Sequence, residues 1–276
     1  MAEKHCGPLL QCMMNAAKCA GDVVRKCYLD EGPQTIIEKS GPNDLCTSTD
    51  LASQKIIQDL LNQTYPKVFF VGEEESTPQS RPDGNYWLVD PLDGTMNFVR
   101  KIPIFAINIA LVSNGEPVAG VTYLPMADEL FHAEKGKGAF LNSRPISVSC
   151  RSELSDCTVA VGIPFKGKPK HRQFSSEMNH LTPRLGQLRR LGACAVEMAY
   201  VACGRLDAYW EQSVSPWDIA AGTVLVREAG GIACNTTGGA LDLHQGTCLV
   251  TTPQVQSELV KLLLKASEGL EISGKP

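Results

Sequence analysis

Apolar residues recur along the chain with two different periods, and the change between them divides it. From Leu9 to Leu29, the residues Leu9, Leu10, Met13, Ala17, Ala20, Val24 and Cys27 fall three or four apart. That spacing predicts an amphipathic helix. Asp30 to Asp44 reads as a loop bearing Gly and Pro. A second helix is expected to start near Thr49 or Asp50 and to bury Leu51, Ile56, Ile57, Leu60 and Leu61. Val68 to Val71 is short and continuously apolar, as in a strand buried on both faces. Short apolar runs then follow at Tyr86–Val89, Ile104–Val112, Pro117–Tyr123, Leu130–Ala133 and Ala139–Leu141. Turn signals such as Asn114-Gly115 and Gly136-Lys137-Gly138 separate them and predict a largely antiparallel sheet.

From about Thr158 strand and helix patterns alternate, which favours a more parallel sheet. The strands are expected at Val159–Gly162, Gln187–Leu191, Leu206–Glu211 and Cys248–Thr251. The helices are expected at Cys194–Cys203 and Asp218–Ala229, stopped by Gly204 and by Gly230-Gly231, with a last helix opening at Thr252-Pro253. No repeat or linker interrupts the pattern. Residues 1–276 are therefore expected to form one domain, its halves of about 1–150 and 151–276 sharing an interface.

Composition narrows the function classes. The formal net charge is −4, so there is no basic footprint and neither nucleic acid nor an anionic membrane is an expected partner. No apolar run approaches the roughly 18–20 residues of a membrane span, and the N-terminus lacks a signal design. A cytoplasmic protein is expected. The 11 cysteines are scattered and odd in number, with no C-x-x-C pair. They read as small core hydrophobes in a reducing compartment, several of them (Cys12, Cys19, Cys27) on apolar helical stripes. The dispersed histidines argue against a His-based metal or nucleophile site.

Candidate chemistry lies where carboxylates sit at element ends. Glu73 and Glu74 follow a strand, Asp90 and Asp93 flank a Pro turn before Gly94 and Thr95, and Asp218 opens a helix. Each has a plainer reading. Glu73-Glu74-Glu75 could be a solvated charge run, and Asp90-Pro91-Leu92-Asp93-Gly94 a simple turn. Ser215-Pro216-Trp217-Asp218 fits a helix start with a capping-box acid. Brought onto one rim, however, such acids would repel one another without a multivalent cation between them. Hard oxygen donors point to Mg²⁺ rather than zinc, and two ions about 4 Å apart would suit phosphoryl displacement.

Gly72-Glu73-Glu74, Asp90-Pro91-Leu92-Asp93-Gly94-Thr95 with Asn97-Phe98, Trp217-Asp218-Ile219-Ala220-Ala221-Gly222 and Glu228-Ala229-Gly230-Gly231 resemble, in order and spacing, the signatures of the inositol monophosphatase family. The resemblance implies a layered α-β-α-β-α sandwich and Mg²⁺-dependent, Li⁺-sensitive hydrolysis of a small phosphate monoester. It places one metal on Glu73, Asp90 and the Leu92 carbonyl, and a second on Asp90, Asp93 and Asp218. A third ion is expected near Glu73, with Glu74 nearby. Gly94 and Thr95 N–H groups would hold phosphate, which agrees with anion binding at a helix start. Thr95 and Glu73 would position the attacking water, Asp50 would orient the Thr95 hydroxyl, and Lys39 would lie on a loop near the metals.

The implied reaction is in-line attack by a metal-activated water, with no phosphoenzyme. The implied substrate contacts are Asp93, Gly192, Ala193, Cys194, Glu211 and Asp218. The chain departs from the family here: a Gly-Thr/Ser-Ala segment is replaced by Gly192-Ala193-Cys194, without the hydroxyl. Inositol monophosphate is the expected substrate. Fructose 1,6-bisphosphate and histidinol phosphate are alternatives, and a non-catalytic regulatory relative is a further one. The family resemblance also implies a homodimer.

Overall fold

The computed structural model describes residues 7–30, 35–41, 44–75, 82–164 and 170–271. Helix α1 (Pro8–Leu29) starts with proline in its first turn and buries Leu10, Met13, Ala17, Ala20 and Val24 along one stripe. A short antiparallel hairpin of β1 (Ile36–Gly41) and β2 (Asp44–Thr47) leads into α2 (Ser48–Thr64). The expected loop over Asp30–Asp44 therefore contains two strands. Its two consecutive isoleucines, Ile36 and Ile37, are both exposed, so no alternation marked the pairing.

The first large sheet has seven strands in simple order: β3 (Phe69–Gly72), β4 (Asn85–Asp93), β5 (Ala106–Ser113), β6 (Glu116–Leu124), β7 (Glu129–Glu134), β8 (Ala139–Leu141) and β9 (Arg144–Ile146). Only the β3–β4 pair is parallel, as the turn-rich sequence predicts. β3 is an edge strand rather than a doubly buried one. Phe69 is 60% exposed, and among the described residues β4 is the strand's only neighbour in the sheet.

The second sheet has five strands, ordered β11 (Gln187–Arg189), β10 (Thr158–Val161), β12 (Ala208–Gln212), β14 (Thr247–Thr251) and β13 (Ile232–Cys234). The β10 pairings are parallel and the β14 pairings antiparallel, so the sheet is mixed. Its helices are α4 (His171–Leu181), α5 (Cys194–Ala202), α6 (Pro216–Glu228) and α7 (Pro253–Glu271). The expected elements do not include α4, although Phe174, Met178 and Leu181 fall four and three apart along it and pack into the same cluster as Val255 and Leu259 of α7.

Period-2 alternation sorts the strand residues into three apolar layers. Trp87, Val89, Ile107, Ile109 and Val121 face α1 and α2 in one cluster. Leu88, Ala110 and Val112 point the other way, into a middle cluster with α5, α6, Tyr209 and Val250. Val159, Ala208, Trp210 and Leu249 face outward to Val255, Leu259 and Leu263 of α7. The result is the expected α-β-α-β-α sandwich. No helix among the described residues is long and apolar enough to cross a membrane.

The middle layer is tight where α6 crosses β6. A Cβ added at Gly120 would lie 2.6 Å from the Ala221 carbonyl oxygen and 2.8 Å from Ala221 Cα. Those are backbone atoms, so the helix itself would have to move. Gly120→Ala is expected to destabilise the protein by about 1–3 kcal/mol, as overpacking of a close-packed core does. Thermal melting checks this, and an unchanged Tm would contradict the close approach.

Candidate active site

The site is built at the end of β4. The strand does not stop at Val89, as its sequence suggests, but runs on through an irregularity between Asp90 and Asp93, with Asp90 opposite Asn108 and Asp93 opposite Ala106. Pro91 sits in that irregularity, where a missing N–H is tolerated. The chain then turns at Gly94 with φ of 88°, a left-handed conformation that favours glycine, and enters α3 (Thr95–Val99). A side chain at Gly94 would also meet the Ile104 carbonyl at 3.0 Å and Ala193 Cβ at 3.1 Å.

Two other elements bring acids to the same place. Glu73 follows β3, and its N–H donates to Val89 O at 3.0 Å, which fixes it beside β4. Asp218 lies in the first turn of α6, where its Oδ2 accepts from Ser215 N at 2.7 Å. Asn108 of β5 anchors that helix start by donating to the carbonyls of Trp217 at 2.7 Å and Asp218 at 3.1 Å. The capping role of Asp218 and its place in the acidic group are therefore compatible, because the cap uses one oxygen. One carboxylate oxygen each from Glu73, Asp90 and Asp218 lies within 4.8 Å of the others. Asp93 lines the same cavity, and its Oδ2 accepts from Ala195 N at 2.7 Å.

The electrostatics are adverse without a cation. Burial first, then repulsion from Glu73, Asp93 and Asp218, pushes the Asp90 pKa well up. Burial does the same to Asp218, with Glu73 and Asp93 adding to it. Burial raises Asp93 to about 7, against hydrogen bonds from the Ala195 and Cys194 N–H groups that pull the other way. Arg190 is the only cationic side chain lining the cavity among the described residues. Convergent acids of this kind, all oxygen donors, fit a hard divalent ion such as Mg²⁺.

Thr95 faces this group. Its hydroxyl lies 2.9 Å from Asp50 Oδ1 and 3.0 Å from the Leu92 carbonyl oxygen. Asp50 is 1% exposed and is the capping-box acid of α2, accepting from Thr47 N at 2.9 Å and from Thr47 Oγ1 at 2.5 Å. Burial raises it to about 6 despite those bonds. This explains why the buried face of α2 carries Thr49, Asp50, Ser53 and Gln54, while Leu51 is exposed: that face supports the site.

Gly94, Gly192, Ala193, Cys194 and Glu211 line the cavity with the acids, as the sequence suggests. Glu74 does not join Glu73. Its N–H donates to Gln54 Oε1 at 3.1 Å, and its carboxylate groups with Cys46 and Asp50. Lys39 is in β1, and its side chain lies outside the described residues.

Sequence reading missed Arg190, Glu197, Gly162 and Ile163, all of which line the cavity. Glu197 is 1% exposed, accepts from Leu191 N at 2.7 Å, and is raised to about 8 by burial. Asn97 donates to the carbonyls of Ile104 at 2.7 Å and Leu191 at 2.9 Å, so α3 and the 190–193 segment are bound together. The one available signal for Glu197 is a lone acid in an otherwise apolar helix. None of the described cysteines forms a disulfide. Cys12, Cys19 and Cys27 are only partly buried, at the edge of their helix's stripe rather than in it.

A layered sandwich with acids converging at a strand end, beside a hydroxyl held by a buried carboxylate, suits metal-assisted chemistry on a small anionic substrate. The family model described as "Inositol monophosphatase family" matches residues 7–269. The inositol-1-monophosphatase of Mesorhizobium japonicum is 38% identical over 257 residues, covering 93% of this chain and 96% of that protein. The Nus factor SuhB of Salmonella typhimurium is 37% identical over 249 residues, covering 90% of this chain and 92% of its own. The crystal structure of the extragenic suppressor protein suhB from Bartonella henselae superposes with a TM-score of 0.88 at 37% identity, over 94% of this chain and 99% of that one. The chain belongs to the inositol monophosphatase family.

Proposed function

We propose that this protein hydrolyses inositol monophosphate to inositol and phosphate with Mg²⁺. The observation that carries the reading is the meeting of Glu73, Asp90, Asp93 and Asp218 in one cavity with Thr95, whose hydroxyl Asp50 holds from behind the lining. Glu73, Asp90 and the Leu92 carbonyl would hold one ion, and Asp90, Asp93 and Asp218 a second. The family's third ion belongs near Glu73. When bound, these ions supply Lewis acidity that makes water a better nucleophile and neutralises charge on phosphate and leaving oxygen.

The chain's own groups do the positioning. Gly94 and Thr95 N–H groups hold phosphate at the start of α3. Ionised Asp50 accepts a hydrogen bond from the Thr95 hydroxyl, which leaves the Thr95 oxygen free to accept a hydrogen bond from water. Glu73 takes the water's other proton as a hydrogen bond, so the lone pair points at phosphorus, opposite the ester oxygen. The segment 192–194, Glu211, Asp93 and Asp218 face the polyol. Residues 1–150 thus carry the phosphate and every metal ligand but Asp218, and 151–276 carry Asp218 and most of the polyol contacts. Li⁺ in place of one Mg²⁺ inhibits. Free cysteines suit a cytoplasmic setting, and a homodimer is part of the proposal by family likeness.

Relatives named Nus factor SuhB favour one other reading, a regulatory role apart from catalysis. A chain kept only for that role has no need of four converging acids with a held threonine. A phosphate-release panel decides between the two. Inositol monophosphate, fructose 1,6-bisphosphate, histidinol phosphate and a nucleotide are each assayed with Mg²⁺ and again with chelator. Inositol monophosphate is expected to give the highest kcat/KM, and chelator to abolish release. No release from any of them with Mg²⁺ would overturn the catalytic reading.

A further inference from the structure

We infer that Tyr209 and Gly162 are positioning residues that hold the Glu211 carboxylate where it accepts hydrogen bonds from the substrate's polyol hydroxyls. The inference rests on the polyol-phosphate reading above. In β12, Tyr209 and Glu211 are two apart and so share a face of the strand. Tyr209 is fully buried in the middle apolar layer, and its hydroxyl donates to Glu211 Oε2. Burial pushes the phenol's pKa well up, so it remains a donor.

Gly162 confines the same carboxylate from the neighbouring strand. It follows β10, and its N–H donates to Trp210 O at 3.1 Å, which locks it beside β12. A Cβ at Gly162 would lie 1.9 Å from both Glu211 Cδ and Oε2. The carboxylate therefore rests against bare backbone, in space that any side chain would fill. Both Gly162 and Glu211 line the cavity that holds the metal-site acids. A carboxylate has about four acceptor positions, so one bond from Tyr209 leaves capacity for substrate. A glutamate already fixed in place loses less conformational freedom when substrate binds, which favours affinity for substrates with hydroxyls to offer.

The test compares inositol monophosphate with phenyl phosphate, which has no polyol hydroxyl. Tyr209→Phe is expected to raise KM for inositol monophosphate roughly 5- to 10-fold, the scale of one ordinary hydrogen bond, with kcat within about twofold. The kcat/KM for phenyl phosphate is expected to stay within about twofold, which also shows that the variant is folded. Gly162→Ala displaces the carboxylate from the neighbouring strand and should give the same split, independently of how Tyr209→Phe behaves. In a Glu211→Gln background, Tyr209→Phe should add little, because both changes act through one group.

Equal losses on the two substrates in both variants would make the residues merely structural and overturn the inference. So would a neutral Tyr209→Phe alongside a Glu211→Gln that loses inositol preference, and in that case the polyol reading survives. A Glu211→Gln variant with unchanged preference would overturn both.

Discussion

Asp93→Asn is expected to lower phosphate release by more than about 100-fold, beyond what losing an outer partner of a metal ligand costs. The change removes a negative charge from a buried site that needs several to hold a divalent cation. It keeps the size of the side chain and an oxygen that can still accept from Ala195 N, so the start of α5 stays attached. The loss should appear in kcat as well as in the Mg²⁺ concentration for half-maximal activity. Without metal the variant should melt higher than the parent, since one of the mutually repelling groups is gone. Near-parental turnover would refute the two-metal assignment.

Removing divalent ions is expected to make stability fall as pH rises from about 4 to 7, and Mg²⁺ to cancel most of that fall. Asp50 and Asp93 stand at about 6 and about 7 in the folded protein, against an ordinary value of 3.8. Asp90 and Asp218 are raised in the same direction. A raised carboxylate takes up protons on folding, so its contribution is fully present below its unfolded pKa and is lost as pH climbs through the folded one. For Asp50 alone the rise of about two units corresponds to roughly 3 kcal/mol across the window from about pH 4 to 6. A bound cation favours the ionised forms and reverses the sign for the acids it touches. The gain in Tm on adding Mg²⁺ should therefore be larger at pH 8 than at pH 5. In chelator, Asp93→Asn should show a shallower fall than the parent. Identical slopes for the two proteins would mean that the acidic group does not set the pH response.

The parts of the site that lie together in sequence were legible early. Asp90, Asp93, Gly94 and Thr95 lie within six residues of one another, and strand, turn and helix start are each written in their residue types. What failed were inferences about burial from local pattern. Leu51 looks like a core residue by spacing but is exposed, because α2 turns its polar face to the site. Val68–Val71 looks doubly buried, yet β3 has only one neighbouring strand among the described residues. Glu74 sits next to Glu73 in the chain and looks like its companion. Adjacent side chains leaving a strand diverge, and Glu74 turns to Cys46 and Asp50.

Sequence by itself determined the alternation that sorts each strand between two layers, the turn at Gly94 and the identity of the acids, because these depend on neighbours along the chain. The tertiary structure decided which acids share a cavity, with Glu73, Asp90 and Asp218 drawn from three separated elements. It also decided that Asp50 serves at once as helix cap and as partner of Thr95. The surroundings of Glu211 belong there too, since Gly162 reaches it only through the pairing of β10 with β12. Contacts of that kind depend on how sheets and helices stack, and no stretch of sequence a few residues long encodes them.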